Sequence, residues 1–189
     1  MEQHETNSTL IQRLDGSAVT EDGLVLKNVA RIERFNLQVD SRVEANMLSW
    51  QMCRTLRRDF NYIASKMLVR RKDRNGAQQI RSLVMDVRML AEELASETAS
   101  FPPNPAPDHR IVPIRIVSAE AANVFLAILQ ADQAYGRLNY ALQNNQISER
   151  DLNHYCTNFE IGLSGLKLYL NNAAGAKTTR QLAVEQGIA

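Results

Sequence analysis

Histidine and cysteine are scarce in this chain, and their placement excludes more than their number does. The three histidines, His4, His109 and His154, have no metal-ligand spacing around them, and neither Cys53 nor Cys156 has a companion within chelating distance in sequence. Both cysteines lie in apolar helical patterns, as small buried hydrophobes do. There is no Gly-rich phosphate loop and no nucleophile elbow. Asp86, Glu92 and Glu93 fit the solvated face of a helix. The expectation is therefore a protein that is not an enzyme and needs no metal or other cofactor. No apolar run approaches the roughly eighteen residues that a membrane span requires. The first residues, MEQHETNSTLIQRLDG, are acidic and polar where a secretory signal is basic and then apolar. A cytoplasmic location follows as the expectation.

Charge is nearly balanced overall, at +1, but it is unevenly spread. Arg54, Arg57, Arg58, Lys66, Arg70, Arg71, Lys72 and Arg74 crowd one segment against only Asp59 and Asp73, while the first 25 residues are mostly acidic. Such a segment suits a polyanionic partner, and equally the wet face of a helix.

Apolar spacing predicts a mainly α protein of long helices with a short antiparallel β-ribbon. Val43, Met47, Trp50, Cys53, Leu56, Phe60, Ile63 and Met67 recur every three or four residues, which predicts one helix from Ser41 to about Arg71. Asp73-Arg74-Asn75-Gly76 interrupts it, and a second helix runs to about Ser96, with Asn75 as a candidate cap. Pro102, Pro103, Pro105 and Pro107 stiffen the segment after it. Ile111–Val117 then predicts a strand and Ser118 the cap of a helix to about Gln143. Asn144-Asn145 ends that helix, and Ser148 with Asp151 starts another, in which Gly162 and Gly165 allow close packing. This pattern divides the chain into a flexible arm (1–23), a strand-helix-helix unit with the basic patch (24–97), a Pro-rich linker (98–110), a second such unit packed on the first (111–172) and a C-terminal tail (173–189). Leu37-Gln-Val39 aligns with Ile114-Arg-Ile116, and Ser41 with Ser118, which marks a candidate internal repeat.

Leu24-Val25-Leu26 suggests a short strand, and the stretch Arg31–Val39 predicts the main one. Apolar Phe35, Leu37 and Val39 alternate with polar Arg34, Asn36 and Gln38, the period of a strand with one wet face. Ser41-x-x-Glu44 then has the form of a capping box. Arg, Asn and Gln are the side chains that bond base edges bidentately, and a two-stranded ribbon fits the major groove. An ordinary edge strand wetted on one side has the same pattern. The strand pairs either with 111–117 inside the chain or with its counterpart across a two-fold.

Phe35-Asn-Leu37 leading into a capped helix resembles the ribbon-helix-helix repressors. That resemblance implies base contacts by Arg34, Asn36 and Gln38, and phosphate binding at the second helix start, Asn75, Gly76 and Ala77. Arg70, Arg71, Lys72, Arg74 and Arg115 are further candidates for phosphate contacts. Here the first helix is expected to be much longer than in the small repressors. More broadly, the second-half strand, Ser118-Ala-Glu-Ala121, Leu129-Gln-Ala-Asp132 and the 144–148 turn resemble the AcaB-like family of conjugative plasmids and integrating conjugative elements. What this implies is a nucleoid-associated homodimer that binds double-stranded DNA, engages the transcription machinery and activates transfer genes. The rival expectation is a helical protein-interaction subunit, such as a relaxosome or transfer accessory protein.

Overall fold

The computed structural model describes residues 11–13, 15–33, 41–71, 74–107 and 109–172. Three two-residue strands come first: β1 (Ile11–Gln12), β2 (Ala18–Val19) and β3 (Val25–Leu26). They form an antiparallel meander in the order β1-β2-β3. Gly16 and Gly23 turn it with φ of +78° and +82°, a region open to glycine at little cost. Ala18–Val19, expected within a flexible arm, is thus the middle strand of this sheet. Ala18, Leu24 and Leu26 are buried and supply the apolar contact that holds it.

The short helix α1 (Val29–Glu33) follows, with Val29 and Ile32 buried. This corrects the strand expected at 31–39: residues 31–33 are helical, and residues 34–40 lie outside the described residues. The strand is instead β4 (Ser41–Met47), antiparallel to β5 (Arg110–Ile116) within the chain. Ser41 opens a strand and caps no helix. The physical reason is a shared period. Val43 and Met47 are four apart, which suits one face of a helix and one face of a strand alike. Ala45 between them, flanked by polar Arg42, Glu44 and Asn46, completes the strand pattern; Ala45 and Met47 are buried.

The serine that does cap the helix is Ser49, whose Oγ accepts from the Met52 amide at 3.3 Å. Helix α2 (Trp50–Thr55) passes through a π-helical turn, Leu56–Phe60, into α3 (Asn61–Arg70). The wider turn leaves main-chain acceptors for the β3–α1 connection. Lys27 N donates to Arg57 O at 2.8 Å, and Asn61 Nδ2 donates to Lys27 O at 3.1 Å. α4 (Arg74–Glu97) follows, so Asn75 lies inside its first turn and not at its cap.

The Pro-rich segment is held against the helices: Arg137 Nη1 donates to Ala99 O at 3.0 Å, and Phe101 packs edge-on against Tyr155 at 5.8 Å. α5 (Ala119–Gln143) is capped by Ser118, and α6 (Glu149–Asn172) starts where Ser148 and Asp151 bond each other reciprocally. Asn145, at φ +56°, ends α5. Buried side chains surround much of α5, which marks it as the central helix. One apolar core draws on both halves of the sequence, and Phe60 meets Phe125 edge-on at 6.1 Å across it. A Cβ at Gly162 would lie 2.4 Å from Leu90 Cδ1, so α4 and α6 do approach closely there; nothing lies within 4 Å of the corresponding point at Gly165. Cys53 and Cys156 are buried free thiols.

The architecture is mainly helical, with two small antiparallel sheets. β4 and β5 each end two residues before the serine that caps the next helix. Asp132, buried on α5, fixes the first of these corners by accepting from Leu48 N at 2.6 Å, Ser49 N at 2.8 Å and Ser49 Oγ at 2.6 Å. Among the described residues, no helix is long and apolar enough to cross a membrane.

Candidate nucleic-acid interface

Directly opposed residues in an antiparallel pair share a face. Arg42 with Arg115, Glu44 with Pro113, and Asn46 with Ile111 therefore form one side of the β4–β5 ribbon. Val112 and Ile114 face the core with Ala45 and Met47. On the other side Arg42, Glu44, Asn46 and Ile111 are exposed.

The two ends of this face differ. At one, Arg115 Nη1 donates to Ile32 O at 2.6 Å and ties α1 to the ribbon. At the other, Asn46 Oδ1 lies 3.0 Å from His109 Nδ1. Beside His109 comes the only tryptophan of the chain. Trp50 opens α2 and is 47% exposed. Arg57, two turns further along the helix, places its guanidinium carbon 4.6 Å from the ring centroid. Arg110, the first residue of β5, opposes Met47 and so belongs to the ribbon's other side, but from the strand end it places its own at 5.0 Å. Cation–π attraction steadies both guanidiniums on an exposed ring. Planar, permanently charged groups so held suit phosphate oxygens. Arg54, one turn from Trp50, is also exposed.

A second group of cations surrounds Tyr62. The Arg31 guanidinium carbon lies 5.2 Å from the ring centroid and Lys66 Nζ 5.6 Å from it. Arg70, one turn beyond Lys66, ends α3 half-buried. Burial first, then the charges of Arg31 and Arg70, pushes the Lys66 pKa down. Burial lowers that of Arg70 as well.

Of the residues singled out from sequence, Arg34, Asn36, Gln38 and Lys72 lie outside the described residues. Arg71, Arg74 and Asn75 are exposed around the start of α4, and Gly76 is buried there. Arg115 is engaged with α1. In the sequence Trp50 falls three residues after Met47 and so joins the apolar stripe, which conceals its place at the surface. Arginines four and seven residues after that lone tryptophan were the available signal for an exposed ring. Nothing in the sequence announced Arg110, which reaches Trp50 only through the pairing of β5 with β4.

No protein-family model matches this chain, and no curated protein matches it. By fold it falls among mainly helical proteins that carry a two-stranded ribbon. Among solved structures it is similar to the crystal structure of AcaB from uropathogenic E. coli, with a TM-score of 0.54 and 15% sequence identity. The match covers 79% of this chain and 97% of that one. At that identity the likeness is one of fold.

Proposed function

We propose that this chain is a non-enzymatic, sequence-specific DNA-binding regulator that lays the outer face of the β4–β5 ribbon in the major groove. The observation that carries this is a polar, exposed ribbon face with two guanidiniums held on Trp50 at one end of the ribbon. A major groove about 12 Å wide admits such a ribbon. Arg42 would donate to guanine and Asn46 would pair with adenine; Glu44 suits the amino group of cytosine. Arg57 and Arg110 would meet phosphates at one end, with Arg71, Lys72, Arg74 and Asn75 as phosphate contacts elsewhere on the duplex. Arg34, Asn36 and Gln38, in the connection from α1 to β4, keep their proposed base contacts. The fold likeness to AcaB supports a regulator-like role. Activation of conjugative transfer genes, homodimerisation and engagement of the transcription machinery in the cytoplasm follow from the resemblance to the AcaB-like family.

The test is a mobility shift with duplex from upstream of the chain's own operon. Wild type should shift it at sub-micromolar concentration in preference to scrambled duplex. Arg42→Ala and Asn46→Ala should each weaken binding about five- to 150-fold, consistent with about 1–3 kcal/mol per bidentate contact, and leave melting unchanged. Equal binding to any duplex, or none, would transfer the chain to the rival class of protein-interaction or transfer accessory subunits. Exposed Met85 and Met89 on α4 and Ile161 and Leu168 on α6 favour that second reading.

A further inference from the structure

We propose that Arg31, Lys66 and Arg70 form a receptor for a phosphate group, set apart from the ribbon face and suited to a small phosphorylated ligand. Three positive side chains from α1 and α3 gather around Tyr62, and no acidic side chain among the described residues acts on Lys66 or Arg70. Arg31 Nη1 and Arg70 Nε and Nη2 are buried from solvent and lack a hydrogen-bond partner among the described residues. Buried donors on permanent cations are costly to leave unmatched, and proteins keep such arrangements where something else supplies the acceptors. The Tyr62 ring offsets part of the charge through its face but offers those N–H groups no oxygen. Its hydroxyl is already engaged by Asn171.

A tetrahedral oxyanion supplies what is missing, because its several acceptor oxygens and two charges match guanidinium and ammonium donors together. An open polar cleft of about 520 Å³ adjoins the same tyrosine, where Lys27, Asn28 and Arg58 share the lining with two carboxylates, Asp15, bonded by Ser17, and Asp59, paired with Arg58 and Lys167. Its size suits the body of a small molecule whose phosphate enters the cationic group. A backbone phosphate of DNA carries the same chemistry, but the burial of the three nitrogens favours the smaller source.

The experiment is thermal melting of the full chain in inorganic phosphate against chloride at matched ionic strength. Wild type should gain a saturable rise in Tm with phosphate. Lys66→Met and Arg70→Gln should melt no lower than wild type in chloride, since each removes an unmatched charge, and should lose most of the phosphate response. Arg57→Ala, which removes a cation on Trp50, should keep that response in full. No phosphate-specific rise in wild type, or an undiminished rise in Lys66→Met and Arg70→Gln, would overturn the proposal. Should both variants fail to fold, phosphorus NMR line-broadening with wild type replaces them, and an unbroadened phosphate signal overturns it. Adding short duplex distinguishes the sources: loss of the phosphate response assigns the receptor to a DNA backbone phosphate, and its persistence assigns it to a free ligand.

Discussion

Asp132 sits in the core with 1% of its surface exposed, yet three donors from the strand-to-helix corner converge on it. Removing the acceptor strands two main-chain amides, so Asp132→Ala should cost about 2–4 kcal/mol in urea unfolding. Burial raises its pKa above the ordinary 3.8, against the opposing pull of its hydrogen bonds with Ser49 and Leu48. A raised carboxyl pKa contributes stability below the unfolded value and loses it as pH climbs through the folded value. The stability difference between wild type and Asp132→Asn should therefore shrink as pH rises from below 3.8. A difference that grew instead would mean that the three donors outweigh burial. Trp50 makes the complementary point at the surface, where two arginines hold a large ring in water. Arg57→Ala and Arg110→Ala should each flatten the salt dependence of duplex affinity by a slope of roughly 0.9, with little change in base preference.

At the scale of elements, the π-helical turn at Leu56–Phe60 fastens the N-terminal meander to the helices. Lys27 is bonded on both sides of its peptide unit, by Arg57 O and by Asn61 Nδ2. Asn61→Ala should cost about 1 kcal/mol and raise amide exchange across residues 24–33 while the α4–α6 pair stays protected. Uniform acceleration along the chain would contradict that local role. The same elements show which features the sequence made legible. The caps at Ser118 and Ser148 and the end of α5 at Asn145 depend on local chemistry that three or four residues determine. Strand β4 does not. Its inward positions fit two periods at once, and only pairing with β5 decides between them. The π-turn bonds to residue 27, some thirty positions away, and that long-range partner has no local sequence mark. Arg110 beside Trp50 is likewise a product of register. The candidate site was visible as composition, a basic segment near a ribbon, and its geometry was not.

For the whole molecule, both strands of the ribbon come from one chain and run into helices that share a core. The exposed face is therefore presented by a rigid frame and needs no partner to form. Under the proposed function this favours binding, because a preorganised surface loses less entropy on meeting DNA. A second chain would then add a second half-site and leave the ribbon unchanged. The most direct measurement is amide hydrogen exchange of the full chain with and without its preferred duplex. The account predicts slower exchange at residues 41–47 and 109–116 and at the start of α2, with the outer surfaces of α4 and α6 unaffected. Protection confined to α4 and α6, with the ribbon exchanging as it does in the free protein, would contradict it.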